Sequence, residues 1–317
     1  MALCLETGYT SLNKTSEELC GDRVECTVCG DYTTLVLADG LGSGVKANIL
    51  STLTSKILCT MVSNDVDIED CVETILQSLP VCKVRGVAYS TFSVIHVNGK
   101  GEGVLFEFDN PQAILIRGEK CSDLPREAMN ILGKTVYKSP LALQKDDVIV
   151  VMSDGVIHAG IGMTLNLGWQ RPEVKDFLDR TVKKGMSARA VACLLAGVCN
   201  DLYLDKPGDD TTVAAVRIRE ALNVNIMVGP PDFYIARFLS GEGKKVVCGG
   251  TSSQIVARHL KTEVRASFDF PDKDVPPIGY IEGIDLTTEG VLTLRRLLEL
   301  SEKYLSVSDL TPKMYSK

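Results

Sequence analysis

The order of the apolar segments constrains the fold before any single residue does. Val24–Cys29 and Thr33–Ala38 read as strands joined by Gly30-Asp31-Tyr32, a hairpin turn. Ser90–Val97, Gly103–Phe108 and Ala113–Arg117 follow as three further strands in meander spacing. Val148–Met152 and Thr211–Arg219 complete the set. Helical periodicity covers Val45–Val62, Asp67–Leu79 (stopped by Pro80), Pro172–Lys183 and Ser187–Leu202. Residues 119–146 read as mostly loop, and 205–210 as a polar turn. The order is therefore strands, two helices, strands, two helices, strand. Consecutive strands without helical crossovers favour a layered α+β architecture over a doubly wound parallel sheet.

After Arg219 the rhythm changes. Leu222–Val228 and Lys244–Val247 read as strands, each running into glycine: Gly229-Pro230-Pro231 and Gly249-Gly250-Thr251-Ser252-Ser253. Asp232–Leu239, with Asp232 as N-cap, and Gln254–Leu260 read as helices, and Glu263–Phe270 as a strand. A proline-rich loop (Pro271, Pro276, Pro277) precedes a last helix from about Thr288 to Leu305. This alternation suggests a small α/β domain. The expected division is 1–220 and 221–317, which suits the two-domain prior for 317 residues.

Composition narrows the function. With 34 basic and 41 acidic residues the formal charge is −7, without the basic excess a nucleic-acid binder needs to neutralise phosphates. No apolar run approaches the ~20 residues of a membrane span, and the first residues lack a signal-like core. An odd number of cysteines (11) spread through apolar stretches reads as reduced thiols, so a cytoplasmic location is expected. Only His96, His158 and His259 are present, which argues against a His-rich zinc hydrolase. Any metal chemistry must rest mainly on carboxylates.

Several carboxylates sit at strand ends beside turn residues: Asp22 after Gly21, Asp39 before Gly40, Asp154 before Gly155, and Asp209-Asp210 before the strand from Thr211. One such pair is ordinary turn chemistry. Four of them flanking apolar strands suggest a convergent anionic oxygen site, suited to Mg²⁺ or Mn²⁺. Two such ions about 3.5–4 Å apart bind a phosphate ester and lower the pKa of a shared water.

Gly21-Asp22, Leu37-Ala38-Asp39-Gly40-Leu41-Gly42-Ser43-Gly44, Met152-Ser153-Asp154-Gly155-Val156 and Gly208-Asp209-Asp210-Thr211-Thr212 stand in the order and approximate spacing of the PPM (PP2C-like) phosphatases. Over about residues 5–219 the chain resembles the stage II sporulation protein E branch of that family. The resemblance implies an αββα sandwich of two mainly antiparallel sheets, and metal-dependent hydrolysis of phosphoserine or phosphothreonine. It implies two Mn²⁺ or Mg²⁺ ions, with Asp39 bridging them and the Gly40 carbonyl binding one. Asp154 and Asp209 would complete the first ion's site, Asp22 would be a ligand or orient water, and Asp210 is a lower-ranked ligand. The implied partner is a phosphoprotein substrate, of the anti-sigma-antagonist kind.

Two departures matter. Leu41 stands where animal-type relatives carry a histidine sometimes assigned as general acid, so that role falls to water at the metal site or another group. His158 lies four residues after Asp154, where this branch often has an acid. It reads either as an ordinary loop or helix-start histidine or as a group near the phosphate that donates a hydrogen bond or proton. A non-catalytic PP2C-like partner-binding module and a phosphatase for a small phosphate ester are the alternatives to a protein phosphatase.

Other signals lead away from chemistry. The glycine loop is G-x-G-x-G with an Asp before it, unlike a dinucleotide fingerprint, and Lys46 follows Val45 rather than glycine, unlike a Walker loop. Cys26-Thr27-Val28-Cys29 is a lone pair expected on opposite strand faces as buried small hydrophobes. The Gly249–Ser253 turn offers amides and hydroxyls to an anion, or is a simple capped turn; a regulatory or ligand-binding role for 221–317 is the corresponding expectation. Asp285–Gly290 reads as a helix cap, and the leucine stripe of the last helix as core or, less often, a homodimer or partner face.

Overall fold

The computed structural model describes residues 3–78, 90–229, 233–266 and 275–306. Contacts divide the chain into two compact units, Met1–Glu220 and Ala221–Lys317.

The first unit contains strands β1 (Leu3–Leu12), β2 (Asp22–Cys29) and β3 (Tyr32–Gly40), then helices α1 (Gly44–Ser63) and α2 (Ile68–Ser78). Strands β4 (Ser90–Asn98), β5 (Glu102–Phe108), β6 (Ile114–Arg117), β7 (Lys120–Ser122), β8 (Glu127–Ile131), β9 (Lys134–Ala142) and β10 (Val148–Met152) follow. Helices α3 (Asp154–Ile157), α4 (Arg171–Thr181) and α5 (Ala188–Leu202) lead to β11 (Thr211–Glu220). One sheet has the order β1-β11-β10-β6-β7 and the other β2-β3-β4-β5-β9-β8. The paired strands of both are antiparallel.

Three apolar layers follow from strand periodicity. On β3, Leu35 and Leu37 face the other sheet with Ile149, Val151 and Val216, while Val36 and Ala38 face Leu58, Val62 and Ile75 of α1 and α2. On β10, Ile149 and Val151 join the inter-sheet layer, and Val148, Val150 and Met152 pack under Val174, Leu178, Val191 and Leu195 of α4 and α5. Strands buried on both faces have no polar face to alternate with, and so read as continuous apolar runs. The result is the expected αββα sandwich.

Residues 119–146 are not mostly loop: β7, β8 and β9 occupy most of them. Burial on β8 runs exposed, exposed, half-buried, exposed, half-buried, so hydrophobic periodicity carries little signal there. β1 also escapes sequence reading, as an outer strand paired along its whole length with β11. Gly8 is required in it, because a Cβ there would lie 2.2 Å from the Arg189 backbone nitrogen of α5. The Cys26/Cys29 expectation holds for the faces but not for burial. Cys26 Sγ lies 3.9 Å from Thr7 Oγ1, Cys29 Sγ lies 3.6 Å from Asp65 Oδ1, and Cys26 is exposed.

The second unit has β12 (Val224–Val228), α6 (Ile235–Ser240), β13 (Lys244–Cys248), α7 (Gly250–His259), β14 (Arg265–Ala266), β15 (Gly279–Tyr280), β16 (Leu286–Thr288) and α8 (Val291–Ser306). β12, β13 and β16 are parallel neighbours, and a small core of Met227, Ile235, Phe238, Val247 and Val256 packs α6 and α7 on them. Leu286–Thr288 is thus a strand rather than a cap, although Glu289 Oε2 does accept from the Leu292 amide at the start of α8. Leu292, Leu297, Leu298 and Leu300 stay exposed, contrary to their reading as core. The hydroxyls of Ser252 and Ser253 donate to the Gly229 and Gly249 carbonyls, and so are engaged within the unit. The predicted Pro80 stop, the Gly229-Pro230-Pro231 turn beyond Gly229, the Asp232 cap and the second half of the Glu263–Phe270 strand lie outside the described residues.

Candidate metal centre

Antiparallel pairing brings all the predicted aspartates to one end of the sandwich. β2 begins where β3 ends, so Asp22 stands directly opposite Asp39 in the register. β10 ends where β11 begins, which places Asp154, the first residue of α3, beside the Asp209-Asp210 turn. A hydrogen bond ties the two sheets together there: Ser153 Oγ donates to Asp22 Oδ2 at 2.7 Å while accepting from the Thr212 amide at 2.9 Å. Two glycines allow the close approach. A Cβ on Gly40 would lie 2.1 Å from the Ala47 carbonyl oxygen of α1, and one on Gly155 would lie 2.1 Å from the Asp210 carbonyl oxygen. The Tyr203 hydroxyl, from the residue that caps the C-terminal end of α5, donates to the Gly155 carbonyl at 2.8 Å and fixes the start of α3.

A cavity of about 380 Å³ opens at this end, lined by Lys14, Asp39, Gly40, Leu41, Gly42, Ser43, Ser90, Thr91, Asp154, Asp209 and Asp210. Asp22 lies outside that lining and is only 4 % exposed. Among the described residues, Asp22 Oδ1 and Asp210 Oδ2 are buried oxygens without a hydrogen-bond partner. Burial and the charges of Asp22, Asp154, Asp209 and Asp210 push the Asp39 carboxyl up to about 10. Burial pushes Asp22 up to about 7 against the Ser153 hydrogen bond, with Asp210 and Asp154 adding to the rise. Asp154 is raised by burial and by Asp209, with His158 opposing.

This arrangement is unfavourable without a counter-charge. Facing like charges destabilise a sheet pair, and a buried oxygen without a partner costs about 1–3 kcal/mol. Hard divalent cations have oxygen-donor preferences that match this set. Asp39, Asp154, Asp209, Asp210 and Asp22 are the side chains able to hold them, with the Gly40 carbonyl beside them.

Two basic groups border the carboxylates. Lys14 Nζ lies 3.6 Å from Asp209 Oδ1. Its backbone amide donates to Asp210 Oδ1 at 3.0 Å, and the Thr15 amide donates to the Pro207 carbonyl at 2.8 Å, which pins the β1–β2 loop to the 205–210 turn. His158 caps α3 at its C-terminal end, with Nδ1 3.8 Å from Asp154 Oδ2. It is absent from the cavity lining and stands beside Asp154 and Asp209. Sequence reasoning missed Lys14 and the linking role of Ser153. Ser153 carries a signal in the Ser153-Asp154-Gly155 triplet, whereas Lys14 sits in a polar loop that carries none.

The stage II sporulation protein E (SpoIIE) family model matches residues 30–219, more than half of the chain. No curated protein matches it. Among solved structures, the phosphatase domain of SpoIIE from Bacillus subtilis is similar over 73 % of this chain and 99 % of that one, at 18 % identity and a TM-score of 0.55. A SpoIIE structure from the same organism, the PP2C phosphatase domain with a fragment of the regulatory domain, matches 70 % of this chain and 65 % of its own, at 20 % identity and a TM-score of 0.59. The RsbU and RsbW domains of a Mycobacterium tuberculosis protein match 75 % of this chain and 67 % of theirs, at 18 % identity and a TM-score of 0.56. At these identities the likeness is one of fold, and the family follows from the model match. The chain belongs to the SpoIIE family, a branch of the PP2C-like phosphatases.

Proposed function

We propose that residues 1–220 form a divalent-cation-dependent phosphatase domain that hydrolyses phosphoserine or phosphothreonine in a protein substrate, and that 221–317 form a separate small α/β domain. The observation that carries this reading is the set of carboxylates at one end of the sandwich. Asp39 faces Asp22 across the sheet, and Asp22 Oδ1 and Asp210 Oδ2 are buried without partners. A protein-binding module has no need of that electrostatic cost.

Asp39, Asp154 and Asp209 with the Gly40 carbonyl would hold two Mn²⁺ or Mg²⁺ ions, with Asp210 in the same lining and Asp22 behind it. Bound cations would supply the positive charge this end lacks and would lower the pKa of a water, so that hydroxide is available to attack phosphorus near neutral pH. Asp22 Oδ1 is the acceptor left to orient a water, while Ser153 holds the opposite oxygen. Lys14, the one cation among the described residues lining the cavity, would attract the phosphoryl group at the mouth and neutralise its charge. The substrate reading draws on similarity to the B. subtilis phosphatase domain and to RsbU.

Hydrolysis of p-nitrophenyl phosphate and of phosphoserine peptides, with Mn²⁺, with Mg²⁺ and with chelator, tests the reading. Turnover only with a divalent cation, abolished in Asp39→Asn, is expected. No turnover with either ion, or unchanged turnover in Asp39→Asn, contradicts it. A preference for small metabolite esters over phosphopeptides would move the substrate class away from proteins.

A further inference from the structure

Of the three histidines, His96 stacks on Tyr32 and bonds Thr34, and His259 belongs to the second unit. His158 alone stands at the carboxylate end. Its position is set locally: the His158 amide donates to the Asp154 carbonyl at 3.0 Å, so the two side chains lie one turn apart on the same side of α3. Both are 45 % exposed, within reach of a hydrated ion. The 3.8 Å between Nδ1 and Asp154 Oδ2 is too long for a hydrogen bond, so this is not a closed His–Asp pair. It is short enough for two ligands of one ion, whose separation at bond lengths of about 2.1 Å is at most about 4.2 Å. One ligand atom from each of Asp154, His158 and Asp209 falls within a 4.8 Å span, so closing on one ion needs only a small side-chain adjustment. Asp210, next in sequence to Asp209 and 4 % exposed, has a partnerless Oδ2 that lies on the Gly21 side of the carboxylate cluster.

We propose that His158 Nδ1 is a metal ligand, completing a mixed nitrogen–oxygen set with Asp154 and Asp209 that favours a first-row ion such as Mn²⁺ over Mg²⁺. Imidazole is a good ligand for first-row transition ions, whereas Mg²⁺ demands oxygen donors and keeps its waters. His158 thereby sets which ion the cleft selects, rather than touching the phosphoryl group. This inference rests on the cation-site reading of the cleft and assigns that site's selectivity.

The test uses the metal-stripped full-length protein, as wild type, His158→Gln and His158→Ala, with folding checked by circular dichroism. Mn²⁺ affinity is measured from the electron paramagnetic resonance signal of the free ion, and Mg²⁺ affinity by calorimetry. Pulsed measurements on bound Mn²⁺ read nitrogen couplings. The wild type is expected to show an imidazole nitrogen coupling that both variants lack. Mn²⁺ affinity should fall at least about tenfold in the variants, with Mg²⁺ affinity changed less than about threefold. Unchanged Mn²⁺ affinity, equal losses for both ions, or Mn²⁺ bound without nitrogen coupling would overturn the role of His158 and leave the carboxylate site standing. A wild type that binds neither ion would overturn both. An effect confined to turnover, with both affinities intact, would return His158 to the phosphate-side role its sequence position suggests.

Discussion

The two ends of β10 carry buried or half-buried carboxylates in opposite circumstances. At the end where the strand begins, Asp147 is 1 % exposed, but Arg117 donates to both its oxygens at 2.6–3.1 Å and the Gln144 amide donates at 2.7 Å. Arg217 donates to Asp146 at 2.8 Å and holds its carboxyl below the ordinary range. At the end where the strand finishes, Asp39 and Asp22 are pushed up, and among the described residues the basic groups bordering them are the partly exposed Lys14 and His158. A carboxylate whose charge the protein itself compensates is part of the scaffold. Carboxylates gathered with so little compensation among the described residues store an electrostatic cost that a bound cation would relieve. One strand thus separates a structural end from a working end.

Substitutions should divide along the same line. Asp39→Asn is expected to lower cation-dependent phosphatase turnover by at least about 10³-fold, because charge stabilisation worth several kcal/mol is lost. It should also raise the melting temperature of the metal-free protein, since the cost of keeping a buried carboxyl protonated far above its ordinary pKa is removed. A lower melting temperature would place Asp39 among the scaffold carboxylates. Asp147→Ala should do the reverse. Denaturant unfolding is expected to show a loss of roughly 3 kcal/mol, from the lost ion pair and the unmatched Gln144 amide, while turnover of the folded protein stays near wild type. Ser153→Ala, which strips the link between the sheets, should cost about 2 kcal/mol in the same unfolding measurement and leave the Asp147 end untouched.

The pH dependence should also differ between the ends. Asp39 and Asp22 have folded pKa values of about 10 and about 7, above their ordinary values. Folding therefore binds protons, and their contribution to stability is fully present below about pH 4 and declines as pH rises towards 7 for Asp22 and 10 for Asp39. Asp146 has the opposite sign: its contribution is present above about pH 4 and fades as pH falls below that. Thermal unfolding of metal-free wild type and of Asp39→Asn between pH 5 and 8.5 checks this. The wild type should lose stability across that range faster than the variant, and Mn²⁺ should restore more at pH 8.5 than at pH 5. Parallel profiles for the two proteins would contradict the sign.

Much of this was legible in the chain because its signals are local. β10 reads at its true bounds, since all five of its residues are apolar and buried on both faces. The aspartates read as a set because each stands at a strand end where turn chemistry is visible in adjacent residues. What escaped depends on partners distant in sequence. β1 is recognisable only against β11, and β7 and β8 carry exposed or half-exposed side chains at the outer edges of the two sheets. Lys14 reaches the cleft because its amide bonds a side chain 196 residues away, which no local pattern encodes. His158 was visible as a residue, but its 3.8 Å distance from Asp154, which underlies the proposed metal-ligand role, was not.

The most direct test of the working end is calorimetric titration of Mn²⁺ into the metal-stripped protein at pH 7.5, in two buffers of different ionisation enthalpy. A carboxyl held at about 10 is protonated at that pH, so cation binding must expel its proton. Saturable binding with release of about one proton or more per protein is expected, both lost in Asp39→Asn. Absence of binding, or binding with no proton released, would contradict it.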